Sequence, residues 1–489
     1  MQRRVYLRIL AVAALVLISA GCSRDGAPSA AISIQRLRGD VTFLAADELE
    51  GRGTPSRGLE LAALYLETQL QAAGVAPAVS GAYRQTYTVG SYAPTEARVA
   101  VRINGKPVDP KDYVFLDSGR DPAKGPLVLP LVEAGYGIVA EERNVDDLAG
   151  HDLRGKAVVA RKGAPWPLDP KAVFGPDRAI GKLMAATVRG AELVVYLSEE
   201  LDTASDAEAG FIHQMKSVPV GFLRPALPNA SALGPALVLK PKAYTSRPSG
   251  KVEISVQTAV REGQASNVLG KIEGTDPALR DEWVVLSAHY DHLGAHPVPA
   301  GQDGIWNGAD DNASGTAAVL ELARQMARTP GKRSLLALLV SGEERGILGS
   351  AHYAAHPVVP MKQVAAQINL DMIGRSQGKV EAIAHVSPAL FEQAVRTGKR
   401  HGIDAIADQQ PTWRTLYLTD TYHFARAGVP GIHFFTGLHA DYHQPSDTSD
   451  KIRYEELGRI VAVAAEMARS YLDGEPRPAF QRPKWFVTP

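Results

Sequence analysis

The sequence predicts an α/β fold: a mostly parallel central sheet flanked by helices, with an inserted β-rich domain. Two observations carry this reading. In the C-terminal half, apolar runs at 283–288, 334–340, 364–370 and 431–435 alternate with amphipathic stretches, the pattern of buried strands joined by crossover helices. Between about Ser118 and Ser249 that regularity gives way to short strands among many Gly and Pro residues, which predicts a separate β-rich unit.

The elements follow in chain order. Basic residues Arg3, Arg4 and Arg8 precede an apolar stretch from Ile9 to Ala20, too short to span a bilayer comfortably, so residues 1–22 read as an export signal. The stretch ends in Ser19-Ala20-Gly21-Cys22. This resembles a bacterial lipoprotein signal, which implies a lipid anchor at Cys22 and, with Ser23 following it, the outer membrane of the cell envelope. Cys22 is the only cysteine, so redox chemistry is not expected and any metal must be held by nitrogen and oxygen. A tether over 23–31 leads to helical spacing from Ile34 to Gly74, notably at Leu59, Ala62, Ala63, Tyr65, Leu66 and Leu70, with Gly74 as a left-handed cap. Alternation over 97–106, with Asn104-Gly105 in it, predicts a β-hairpin. Within 118–249, strands are expected at 156–160 and 191–197 around a helix at 180–189. The helix after Thr316 puts Val319, Leu320, Ala323, Met326 and Ala327 on one face. Residues 32–117 and 250–475 therefore form the main discontinuous domain, and the Pro-rich tail 476–489 is expected to wrap the surface.

Lys plus Arg, 53, equals Asp plus Glu, 53, and no long single-sign run occurs. Nucleic acid and a polybasic membrane patch are thus poorly supported as partners, leaving a peptide or small molecule.

Five short motifs hold the chemistry: His289-Tyr-Asp-His-Leu-Gly, Gly308-Ala-Asp-Asp-Asn-Ala-Ser-Gly, Gly342-Glu-Glu, Asn369-Leu-Asp and Tyr442-His-Gln-Pro-Ser-Asp-Thr. Functional groups in a parallel sheet gather beyond the carboxyl ends of strands. His289 ends its run, Glu343 and Glu344 follow theirs, and Asp371 comes directly after its own, so the topology brings them to one edge. Singly each has a duller reading: His289 a core histidine, Asp310 and Asp311 helix caps, Glu343-Glu344-Arg345 a solvated turn. Asp371 is harder to dismiss, because an unpaired carboxylate after so apolar a strand is costly to bury. Together, imidazoles and carboxylates in this order point to a two-metal hydrolase.

These motifs closely resemble those of the co-catalytic zinc aminopeptidases of peptidase family M28, over about Ile32 to Asp473 without the insertion. The insertion is similar to a protease-associated (PA) domain, most clearly at Ala134-Gly-Tyr-Gly-Ile and Val218-Pro-Val-Gly-Phe. The resemblance implies two zinc ions: His289 and Asp371 on one, Glu344 and His443 on the other, Asp311 bridging. It implies Glu343 as general base, Asp291 orienting His289, and Tyr442 donating to the oxyanion. Two ions carry about +4, three carboxylates return about −3, and a bridging hydroxide brings the resting site near neutrality. His292 and His439 stand outside the motif positions. His296, His352, His356, His423 and His433 are read as structural. Asp420 matches a family aspartate, but Thr421 stands where the family commonly has His, which leaves the substrate role of that loop open. The implied reaction is removal of N-terminal residues from peptides. A zinc carboxypeptidase or dipeptidase could use the same metal pair if Arg375 or Arg414 faced the site. A glutaminyl cyclase-like enzyme is expected to hold one zinc, and a non-catalytic receptor to have lost ligands or the base.

Overall fold

The computed structural model describes residues 32–487 apart from 118, 169–174, 202–219, 226, 228–230, 232 and 412–413. The expected signal 1–22 with Cys22, the tether 23–31 and the start of the 218–222 motif lie outside the described residues.

The four apolar runs form strands Trp283–His289, Ser334–Val340, Val364–Leu370 and Gly431–Phe435. They are contiguous and parallel, in the order Ser334–Val340, Trp283–His289, Val364–Leu370, Gly431–Phe435. All seven residues of Ser334–Val340 and of Val364–Leu370 are buried, because both faces of the sheet are covered. Val284, Leu286, Leu335, Ala337 and Leu339 pack on one side with helices Ile34–Leu44, Arg57–Ala72, Gly315–Arg328 and Tyr454–Leu472. Val285, Leu336, Leu338 and Val340 point the other way, onto Tyr353 and Phe424 of helices Leu348–Ala355 and Thr421–Arg426. The period-two alternation of side chains thus divides one apolar run between two cores.

The sheet as a whole is mixed, which corrects the expectation of a mostly parallel one. Arg261–Ile272 adds antiparallel beside Ser334–Val340, followed by Arg84–Tyr92 and Val220–Arg224, both antiparallel. On the far side Lys379–Ile383 pairs antiparallel with Gly431–Phe435. Parallel order requires a crossover connection between neighbours, and the flanking strands reach their partners along other routes.

A second, eight-stranded sheet contains Arg98–Ile103, Tyr113–Leu116, Leu127–Glu133, Ala157–Arg161, Leu193–Leu197, Ala236–Leu239 and Lys251–Gln257, with the short strand Lys106–Pro107 at its edge. Helix Ala179–Thr187 packs on it through Leu183 and Ala186. The sheet extends past 118–249 at both ends, since the hairpin at 98–107 pairs with Lys251–Gln257. That hairpin turns on Asn104 and Gly105, both at positive φ, 51° and 78°, the requirement of a two-residue turn. Val220–Arg224, inside the 118–249 span, joins the first sheet instead. The tail runs over the surface with most of its described residues exposed, while Phe486, 1 % exposed, turns inward and packs against Tyr417 and Tyr422.

Candidate metal centre

Each predicted group reaches the same end of the parallel strands. His289 is the last residue of Trp283–His289, Glu343 and Glu344 lie in the turn after Ser334–Val340, and Asp371 directly follows Val364–Leu370. Tyr442 and His443 come from the loop after Gly431–Phe435. Asp311 sits in an irregular turn, Ala309–Ser314, that leads into helix Gly315–Arg328. The helix is capped by Asn312, whose Oδ1 accepts the Gly315 N–H at 2.9 Å, and not by Asp311. Asp447 Oδ2 accepts the N–H groups of Asp310 and Asp311 at 3.0 and 3.1 Å, so the Asp311 carboxylate is left to face the site. Close approach here depends on Gly315, where a Cβ would stand 2.1 Å from the Leu370 carbonyl oxygen.

Asp311 links two clusters of donors. Its Oδ1 lies 3.3 Å from His289 Nε2, which is also 3.3 Å from Asp371 Oδ1. Its Oδ2 lies 3.2 Å from His443 Nε2, and that nitrogen is 3.2 Å from Glu344 Oε2. The groups His289–Asp311–Asp371 and His292–Asp311–Glu344 each present donor atoms within 4.8 Å of one another, a spacing able to hold a metal ion. Asp291 is fully buried. Its main-chain oxygen is 3.2 Å and its carboxylate 3.6 Å from His289 Nδ1. The same carboxylate accepts the Glu343 N–H at 3.2 Å and the Thr54 hydroxyl at 3.1 Å, so it ties the base's backbone to the histidine.

So many buried carboxylates are tolerated only with cations at hand. Burial raises Asp311, but His292, His289 and His443 outweigh it and hold the carboxyl well below its usual range. Burial and Asp311 raise Glu344, yet His443 and His292 bring it down to about 2. Burial lowers His443, and Glu344 and Asp311 reverse this, up to about 10. The cluster thus attracts positive charge, which bound divalent ions can supply in place of protons. Glu343 behaves differently. Burial, together with Glu344, Asp420 and Asp371, pushes it well above the carboxylate range against the pull of His289. Tyr442 is raised well above its usual value by burial and by Asp311, Glu344, Glu343 and Asp371, and its ring stacks on His443 at 3.8 Å.

Sequence reasoning passed over four neighbours. His292, set apart as a non-motif histidine, is fully buried with Nδ1 2.8 Å from Glu344 Oε1, so Glu344 meets two imidazoles rather than one. Arg52 is fully buried and gives its guanidinium N–H groups to the carbonyls of Tyr290, at 2.8 Å, Asn307, at 2.7 Å, Gly308, at 2.9 Å, and Leu44. It thereby joins the His289–Asp291 and Gly308–Asp311 segments. Asp447, within the quoted Tyr442 motif, anchors the Asp311 turn, a role its position in that motif could have suggested. His433, read as purely structural, lines the pocket. His439, by contrast, contacts Asp310 Oδ2 at 3.1 Å. Asp420 is buried behind the pocket wall, where burial pushes it up to about 7 against His289.

The donors open into a cavity of about 110 Å³ whose other walls are Met372, Thr415, Leu418, Thr419, Phe435 and Leu438. Among the described residues no Arg or Lys lines it. Arg375 turns away to Asp441, at 2.7 Å, and Arg414 lies over Trp485 and near the Val139 carbonyl.

Residues 267–468 match the model of peptidase family M28. The chain is 27% identical over 304 residues to the aminopeptidase YwaD of Bacillus subtilis, covering 58% of this chain and 62% of that protein. It is 33% identical over 144 residues to a probable zinc metalloprotease of Pyrenophora tritici-repentis, covering 28% and 29%. The chain thus spans less than two thirds of these relatives' lengths. Among solved structures, an aminopeptidase from Aneurinibacillus sp. strain AM-1 superposes with a TM-score of 0.52 at 18% identity, over 94% of this chain and 96% of that one. This likeness shows a shared fold across nearly the whole chain. The stretch matched by the peptidase family M28 model, residues 267–468, is the one that carries His289, Asp311, Glu343, Glu344, Asp371 and His443.

Proposed function

We propose that the chain is a zinc-dependent aminopeptidase that hydrolyses N-terminal residues from peptides with two zinc ions. The observation that carries this reading is a pair of oxygen and nitrogen donor groups sharing Asp311, beside a half-buried Glu343 in a pocket without described Arg or Lys side chains. The donor set suits zinc, which takes imidazole nitrogen and carboxylate oxygen. His289 and Asp371 would hold one ion, Glu344 and His443 the other, with Asp311 common to both. His292 orients Glu344. When bound, the ions polarise the scissile carbonyl and lower the pKa of water.

The chain's own groups manage the protons. Glu343, half-buried and raised, takes a proton from the attacking water and passes it to the leaving amine. Tyr442 keeps its phenolic proton and donates to the oxygen of the tetrahedral intermediate. Asp291 holds the His289 ring and the Glu343 backbone in one frame. A carboxypeptidase would need a cation to bind the substrate carboxylate, and Arg375 and Arg414 are both directed elsewhere. Residues 118–249 are read as a PA-like insertion, and residues 1–22 as a lipoprotein signal anchoring the protein through Cys22 in the cell envelope.

The test compares an aminoacyl-p-nitroanilide with an N-blocked peptide, using wild type and Glu343→Gln at measured zinc content. The variant is expected to retain about two zinc ions and lose roughly 10²–10⁴-fold in kcat. Cleavage of the blocked peptide alone, or undiminished turnover by Glu343→Gln, would sink the proposal.

A further inference from the structure

We infer that the C-terminal pair Trp485 and Phe486 is a latch that sets the position of the substrate-pocket wall, so that the last turn of the chain governs substrate affinity from outside the pocket. For its activity readout, this rests on the peptidase reading of the pocket.

The argument begins with the 3₁₀ helix Thr415–Leu418. Such a helix has three residues per turn, so positions i and i+3 share a face. Thr415 and Leu418 line the pocket. Leu416 and Tyr417, 4 % and 2 % exposed, face the opposite way into an apolar cluster with Phe486, Tyr422 and Val386. The same cluster contains Ile347, four residues beyond Glu343, and Ile180 and Met184 of helix Ala179–Thr187. One short helix thus has substrate space on one side and the chain's end on the other.

The end is held specifically. Tyr417 Oη lies 2.9 Å from the Trp485 carbonyl and 3.0 Å from that of Val487, and accepts the Val487 N–H at 2.9 Å. The Phe486 and Trp485 rings sit 5.5 and 5.7 Å from the Tyr417 ring, and the Arg414 guanidinium lies 5.8 Å from the Trp485 ring. Upstream, Gln481 N–H bonds the Val386 carbonyl at 2.8 Å, and the Ala479 carbonyl accepts from Ser387 at 3.2 Å. Four residues of 3₁₀ helix have few internal bonds of their own, so the helix takes its position from this packing. If the cluster loosens, Thr415 and Leu418 move with it. The catalytic donors hang from other strands and stay in place.

The test uses the full-length chain with Phe486→Ala, and Tyr417→Phe as a milder variant that removes only the hydroxyl. Amide hydrogen exchange over 414–422 is expected to quicken about tenfold or more, while exchange in Trp283–His289 and zinc content stay unchanged. KM for a panel of aminoacyl-p-nitroanilides is expected to rise about tenfold with kcat within about threefold, and Phe486→Leu to recover most of the loss. Unaltered KM and exchange in Phe486→Ala, or faster exchange spread evenly over both sheets, overturns the latch. Should wild type cleave no nitroanilide, the peptidase reading fails, and local exchange alone decides the latch.

Discussion

Asp291→Asn separates charge from shape at the centre. The carboxylate accepts from the Glu343 N–H at 3.2 Å and from the Thr54 hydroxyl at 3.1 Å, through different oxygens. An asparagine can keep its oxygen toward the Glu343 N–H and turn its NH2 toward Thr54, whose hydroxyl accepts as readily as it donates. Both contacts survive, and the metal-free fold is expected to unfold within about 1 °C of wild type, a change of roughly 1 kcal/mol or less. What disappears is the negative charge 3.6 Å from His289 Nδ1. Such outer partners fix the ring and raise the basicity of the opposite nitrogen, and their loss costs about 10–100-fold in metal affinity, or roughly 1.4–2.8 kcal/mol. Competition with a chromogenic chelator measures the zinc dissociation constant, and thermal unfolding in excess EDTA measures the metal-free protein. An affinity within about threefold of wild type, less than half the smallest expected energy, would refute the reasoning, as would a metal-free protein that is itself unfolded.

Three further outcomes are expected. Arg52→Met leaves the buried carbonyls of Leu44, Tyr290 and Asn307 without their donor, while that of Gly308 keeps the Ala313 N–H at 3.2 Å, and at about 1–1.5 kcal/mol each should cost roughly 3–4.5 kcal/mol in urea unfolding, whereas Arg52→Lys, with three N–H groups, should cost about 1–2 kcal/mol; equal stability of both variants and wild type contradicts the clamp. Tyr442→Phe should lower kcat by roughly 10²-fold with little change in KM, and a KM effect alone would make Tyr442 a binding group only. Burial and His356 hold His352 down to about 4 in the folded chain, against about 6.5 in the unfolded one. The unfolded chain therefore binds this proton first, so its contribution to stability is full above about 6.5 and is lost as pH falls through about 4; melting curves from pH 7 to 4 should decline less steeply for His352→Gln, and parallel declines would dismiss the assignment.

Much of the frame was legible because it depends on local pattern. Apolar runs of five to seven residues became the four parallel strands, Asn104-Gly105 made its hairpin, and Gly74, at φ 76°, follows helix Arg57–Ala72. Because parallel strands present their carboxyl ends together, the meeting of His289, Glu343, Glu344 and Asp371 followed from the order of elements alone. Strand direction at the sheet's flanks did not, since Arg84–Tyr92 and Val220–Arg224 look the same in either orientation. The acidic turn hid its division of labour: Asp310, Asp311 and Asn312 are all capping residues in sequence, and only the backbone path assigns the cap to Asn312 and the site to Asp311.

Residue type and order along the chain by themselves determined which chemistry this protein carries, because donor atoms are covalent properties that folding does not change. Tertiary structure alone decided which groups stand face to face. His292 on Glu344, Arg52 beneath the His289 loop, Arg375 turned toward Asp441 and Phe486 behind the pocket wall are contacts between segments tens to hundreds of residues apart. Their partners are selected by packing of the whole chain, and no local signal records that choice.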